Sequence, residues 1–174
     1  MTTLTLAVDI HVVLRALAAG RDLATGSGPW TTRFVNTANA QFSGRWREVE
    51  LDSATLASLW LPPHAGEPCQ GDRRAALAPQ GGASVANTVR RLRESSENYA
   101  GANPCCWGRI AAAMDAPLSP IIVTTQPLDE DEYRSIDIHH DRRVYHLDGL
   151  HRLIGWSLAG RLTPAVRVRA FLAG

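Results

Sequence analysis

Tyr145-His-Leu-Asp-Gly-Leu-His-Arg-Leu-Ile154 is the stretch on which the fold turns. Residues 143–147 alternate polar and apolar and predict a strand. Asp148-Gly149 then makes a turn. Residues 150–159 predict a helix, with Leu150, Leu153, Ile154 and Leu158 inward and Gly160 closing it. The first turn of such a helix exposes N–H groups without partners, and its dipole adds positive potential. Gly149 lets a ligand approach the backbone closely. His151 and Arg152 add side-chain donors, and a guanidinium grips two phosphate oxygens at once. Asp148 would repel a phosphate unless it holds a cation or takes a substrate proton, which points to chemistry rather than anion storage. The plainer alternative is an ordinary helix start, with Asp148 as cap, Gly149 as turn and His151 facing solvent.

Working outward, the run from Pro120 to Thr125 predicts a buried strand, and the run from Pro164 to Leu172 another. Between them, residues 126–141 read as a polar loop in which Asp129-Glu-Asp-Glu132 is solvated. Upstream, Trp46 to Leu51 alternates as a strand, and Asp52 or Ser53 caps a short helix towards Trp60. Pro62-Pro63 ends it. Residues 61–82 read as an exposed insertion. Ser84 caps a helix reaching about Tyr99, Asn103-Pro104 breaks it, and a second helix covers Trp107 to Met114. Residues 4–19 fit a helical stripe of Leu6, Ile10, Val13, Leu14 and Leu17. Residues 25–44 read mainly as loop, with room for a short strand around residues 32–35.

The chain has 174 residues, suits one domain (1–174), and is 45% hydrophobic, enough for a real core. No apolar run reaches the ~18–20 residues of a membrane span, and no leader pattern is present, so a cytoplasmic location is expected. A net charge of +1 argues against a nucleic-acid partner. All 18 basic residues are Arg. Arg90, Arg91 and Arg93 read as a solvated helix face. The three cysteines, Cys69, Cys105 and Cys106, read as reduced thiols rather than a disulfide framework. His139-His140-Asp141 with His146 lacks regular ligand spacing, so no metal site is expected there. His146 shares its strand with Tyr145 and can face a pocket that Trp107 walls.

The strand Pro120-Ile-Ile-Val, the Asp148-Gly-Leu-His-Arg152 turn and helix, and the closing Pro164-Ala-Val-Arg-Val168 strand resemble the ParB/sulfiredoxin-like superfamily. The resemblance covers about residues 118–170. It implies an α/β (α+β) domain, a small mixed sheet with flanking helices. It also implies a nucleotide whose phosphates sit on Gly149, Leu150, His151 and Arg152. Sulfiredoxins carry a cysteine where this chain has Leu150, and partition proteins continue into a DNA-binding domain. The form is nearest to the free-serine kinases of this superfamily. By that likeness Asp148, with Glu48 or Glu50 as base, would be catalytic. ATP or ADP and Mg²⁺ would be cofactors, and a small amino-acid-type acceptor the substrate. The alternatives are a ParB-like DNA-binding or nuclease protein and a non-catalytic nucleotide or metabolite sensor.

Overall fold

A computed structural model describes residues 3–19, 28–64, 76–79, 81–134 and 144–174. Its strands are β1 (Thr3–Val8), β2 (Trp46–Asp52), β3 (Trp60–Leu61), β4 (Ala83–Ser84), β5 (Ile121–Thr124), β6 (Tyr145–Asp148) and β7 (Arg167–Ala173). Its helices are α1 (Ile10–Ala19), α2 (Gly28–Gln41), α3 (Ser53–Ser58), α4 (Val85–Ala102), α5 (Pro104–Asp115), α6 (Asp131–Arg134) and α7 (Leu150–Leu158). The fold is mixed α/β. The seven strands among the described residues join one sheet in the order β1-β2-β7-β5-β6-β3-β4. The β5–β7 and β3–β6 pairs are parallel and the others antiparallel.

Central position explains the apolar run in β5. It lies between β7 and β6, and all four of its residues are buried. A strand covered on both faces gains from hydrophobic side chains at every position. Ile121 and Val123 enter the core under α4, α5 and α7, which also holds Leu92, Ile110, Leu153 and Trp156. Ile122 enters the opposite core, with Val13 and Leu17 of α1, Val35 and Ala38 of α2, and Tyr133 of α6. β7 divides its side chains the same way: Val168 and Ala170 on one face, Phe171 and Ala173 on the other.

The caps fall where the residue types place them. Asp52 accepts the Thr55 N–H at 2.9 Å to start α3, and Ser84 accepts the Asn87 N–H at 3.2 Å to start α4. Four expectations need correction. Residues 4–19 are not one helix: β1 runs to Val8, and Asp9 then accepts the N–H of His11 at 2.7 Å. The Thr-Leu-Thr-Leu alternation favours a strand, and the cap at Asp9 separates it from the helix. Residues 25–44 are not mainly loop, since α2 covers 28–41. Its Thr and Asn residues are weak helix formers, but the Val35–Ala38 face is fully buried, so packing overrides local preference. Residues 61–82 are not simply exposed. Leu61, Leu77 and Ala78 are buried, and His64 forms a β-bridge with Ala78. Residues 65–75 and 80 of that stretch lie outside the described residues. Within the expected 126–141 loop, α6 buries Tyr133; residues 135–143 lie outside the described residues.

Candidate metal centre

Three side chains far apart in sequence converge on the face that carries α4, α5 and α7. His64, Cys106 and His151 each bring one ligand atom, and these atoms lie within 4.8 Å of one another. Cys106 Sγ stands 3.1 Å from His151 Nε2 and 3.8 Å from His64 Nε2. The two imidazoles meet edge to face, at 76° with centroids 5.7 Å apart.

Each ligand is positioned by a distinct local device. His64 follows the Pro62-Pro63 stop and is pinned through its backbone. Its N–H donates to Ala78 O at 3.1 Å, and its carbonyl accepts from Leu77 N at 2.9 Å. Cys106 lies in the first turn of α5, which opens with Pro104. Proline is suited to a helix start because the missing N–H would have no intrahelical partner there. The Tyr99 hydroxyl of α4 donates to Cys106 Sγ at 3.1 Å. His151 rides on the first turn of α7, which follows Gly149 as its cap with φ +99°. A Cβ at Gly149 would come within 2.6 Å of Ile121 Cγ2, so both the backbone conformation and the close approach to β5 call for glycine.

The site favours neutral imidazoles. Burial pulls the His151 pKa down to about 3, with the charges of His64, Arg109 and His146 adding to the effect. His146 is also lowered to about 3, first by burial, then by His64 and Arg152. Neutral imidazole is the metal-ligating form. In the metal-free protein, His146 also gives a pH signature. The unfolded imidazole titrates near ~6.5, so below that pH the unfolded chain takes up a proton the folded chain refuses. Stability from this group is full above pH ~6.5 and falls steadily towards pH 3. Urea unfolding at pH 7 and pH 5 should differ by about 2 kcal/mol more in the wild type than in His146→Leu. Parallel pH dependences in the two proteins would contradict this.

The residues expected to hold phosphate are arranged differently. Arg152 is not solvent-facing: its side chain is 16% exposed and pairs with Asp148 Oδ2 at 2.6 Å. It also donates to Ser119 Oγ and to Pro120 O, the latter at 3.0 Å. The guanidinium therefore fastens the start of α7 to the segment entering β5. Arg152→Ala should destabilise the fold by roughly 2–3 kcal/mol, because it removes an ion pair to a partly buried carboxylate together with two bonds to the segment entering β5. Arg152→Lys should recover only part of this. Chemical denaturation measures both, and a change below 0.5 kcal/mol, the usual range for a surface substitution, would rule out the clamp.

Leu150 is buried and Trp107 packs partly buried against the same core. Glu48 and Glu50 lie elsewhere. They sit on β2, which β7 and β5 separate from the β6 strand carrying Asp148. At ~4.8 Å per strand that is about 14 Å. Glu48 instead pairs with Arg169 at 2.7 Å. His139, His140 and Asp141 lie outside the described residues. The sequence alone gives His64, Tyr99 and Cys106 no role in a site, because their partners are not local. Cys105, expected to be reduced, is disulfide-bonded, whereas Cys106 is a buried thiol outside any disulfide.

None of the curated proteins and none of the solved structures matches the chain. His64, Tyr99, Cys106, His146 and His151 all fall within the 21–174 match to the family of unknown function DUF6309, and the chain belongs to that family.

Proposed function

We propose that the protein is a zinc-dependent hydrolytic enzyme whose metal is held by His64 Nε2, Cys106 Sγ and His151 Nε2. The observation that carries this reading is the spacing of the ligand atoms. Zn–S near 2.3 Å and Zn–N near 2.0–2.1 Å at a tetrahedral angle put sulfur and nitrogen about 3.5–3.6 Å apart. The two sulfur–nitrogen distances, 3.1 and 3.8 Å, bracket that value. Two imidazoles and one thiolate also form a donor set suited to zinc.

Three protein ligands leave a fourth position for water or substrate, the pattern of catalytic rather than structural zinc. Cys106 is buried, and His64 and His151 are partly buried beside it. Zinc there would lower the pKa of a bound water towards ~7 and polarise a carbonyl. Tyr99 supplies a hydrogen bond to the sulfur, fixing its orientation and drawing off some of its charge. Burial keeps His151 unprotonated and ready to bind metal.

The test is metal content and cobalt substitution. Purified protein should carry about one zinc per chain, and Co²⁺ should give a sulfur-to-cobalt charge-transfer band that Cys106→Ser removes. Hydrolysis of a panel of chromogenic esters and amides should stop on chelation and return with Zn²⁺. Cobalt binding without the sulfur band would refute the ligand set.

A second reading draws on the 3.1 Å contact between Cys106 and His151. His151 would take the thiol proton and Cys106 would attack as a nucleophile. It predicts activity that survives chelation and is lost on alkylation. The nucleotide phosphotransferase expected from the sequence would need Arg152, already bonded to Asp148, Ser119 and Pro120, to reach a phosphate as well. It predicts ATP or ADP binding, with or without Mg²⁺, that Arg152→Ala weakens by roughly 1.5–3 kcal/mol.

A further inference from the structure

Nε2 of His146 is buried and has no hydrogen-bond partner. The residue as a whole is 7% exposed. An unpartnered polar atom in such a place costs about 1–3 kcal/mol, so its retention calls for an explanation. Its backbone is fixed, since the Tyr133 hydroxyl of α6 donates to the His146 carbonyl from the opposite face.

The strand register says which way the ring points. Tyr145 and Leu147 enter the core under α1 and α2. Alternation along β6 turns His146 to the other face. There it stands opposite Val123, which belongs to the core that also contains Cys106. The ring is on the side of the metal centre: β6 leads within five residues to His151, and β3, which pairs with β6 through Trp60 and Tyr145, leads within three residues to His64. Yet its nitrogens are not in the group of ligand atoms that lie within 4.8 Å of one another. It is close to the centre but outside the coordination set.

Resting on the metal reading above, we propose that His146 Nε2 is the hydrogen-bonding group for the oxygen or anion held at the metal's fourth position. A neutral imidazole on this wall donates an N–H to that atom. The ligand class is a small anion or a carbonyl oxygen. A general-base role fits less well, because burial and the neighbouring positive charges of Arg152 and the metal oppose an imidazolium here.

The experiment uses the Co²⁺-loaded full chain, with azide as the probe, titrated through the visible cobalt bands. His146→Leu should keep one cobalt per chain and the sulfur charge-transfer band while azide affinity falls at least tenfold. His146→Gln, whose amide N–H can replace the donor, should regain part of the loss. Should His146→Leu not fold, His146→Phe gives the same comparison with an aromatic ring of similar size. Unchanged azide affinity in a loaded apolar variant overturns this inference alone. Loss of cobalt from a folded apolar variant also overturns it, by making His146 a ligand. A wild type that binds no cobalt overturns the metal reading and this inference with it.

Discussion

Replacing Cys106 with serine is expected to lower Zn²⁺ affinity about 10³-fold and to leave the purified protein almost free of metal. The magnitude follows from the ligand count. Structural zinc sites bind with roughly 10–16 kcal/mol, and Cys106 is one of the three protein ligands proposed here. A third of that energy is about 3–5 kcal/mol, and each 1.4 kcal/mol is a tenfold change. Serine keeps the size of the side chain but has no thiolate at neutral pH. His64→Ala and His151→Ala should act similarly, whereas Arg93→Ala, on the exposed side of α4, should leave affinity alone. Competition against a chromophoric chelator reads the difference. Binding also stabilises the fold by mass action: zinc at 100 times its dissociation constant adds about 2.7 kcal/mol. Chelation should therefore lower the melting temperature of the wild type and leave that of Cys106→Ser unmoved. Equal zinc affinity in wild type and Cys106→Ser would remove Cys106 from the centre.

The second large effect is expected at Gly155, which is not a ligand. It lies where α7 crosses α5. A Cβ there would fall 2.5 Å from Ile110 O and 2.9 Å from Ala113 Cβ. Two hydrogen bonds just beyond the glycine hold the helices at that distance. Trp156 Nε1 donates to Ala116 O at 3.2 Å, and Arg161 Nη1 donates to Met114 O at 3.0 Å. Gly155→Val must push the helices apart or distort their backbones, because the nearest obstacle is a carbonyl rather than a flexible side chain. Overpacking on this scale costs about 3 kcal/mol, roughly 10 °C in melting temperature for a chain of this size. The same shift moves His151 on α7 away from Cys106 on α5. Metal affinity should then fall by about 10–100-fold even in the folded fraction, the usual effect of disturbing the support of a ligand set. Differential scanning calorimetry with and without zinc separates the two effects. A Gly155→Val protein with wild-type melting temperature would show that α5 and α7 can separate freely.

Local chemistry wrote much of this fold into the sequence. The apolar run at Ile121–Thr124, the alternation at Trp46–Asp52, the caps at Asp52 and Ser84, and the Gly149 turn into α7 each depend on neighbouring residues. Such signals survive without tertiary context, because a cap or a burial period acts over one or two turns. α2 was not legible, since its Thr- and Asn-rich sequence becomes helical only when Val35 and Ala38 meet the sheet. The site divides in the same way. The sequence marked His146, Asp148, Gly149, His151 and Arg152 as a cluster, because they share one strand, turn and helix. What those residues touch was decided by the tertiary structure. Arg152 turns to Asp148 and Pro120, while His151 turns to Cys106. Cys106 and His64 lie 45 and 87 positions from His151, counted along the numbering (151 − 106 and 151 − 64). No local spacing records such a pairing. It exists because the sheet brings the end of β3 beside β6, and because Gly155 lets α7 close onto α5.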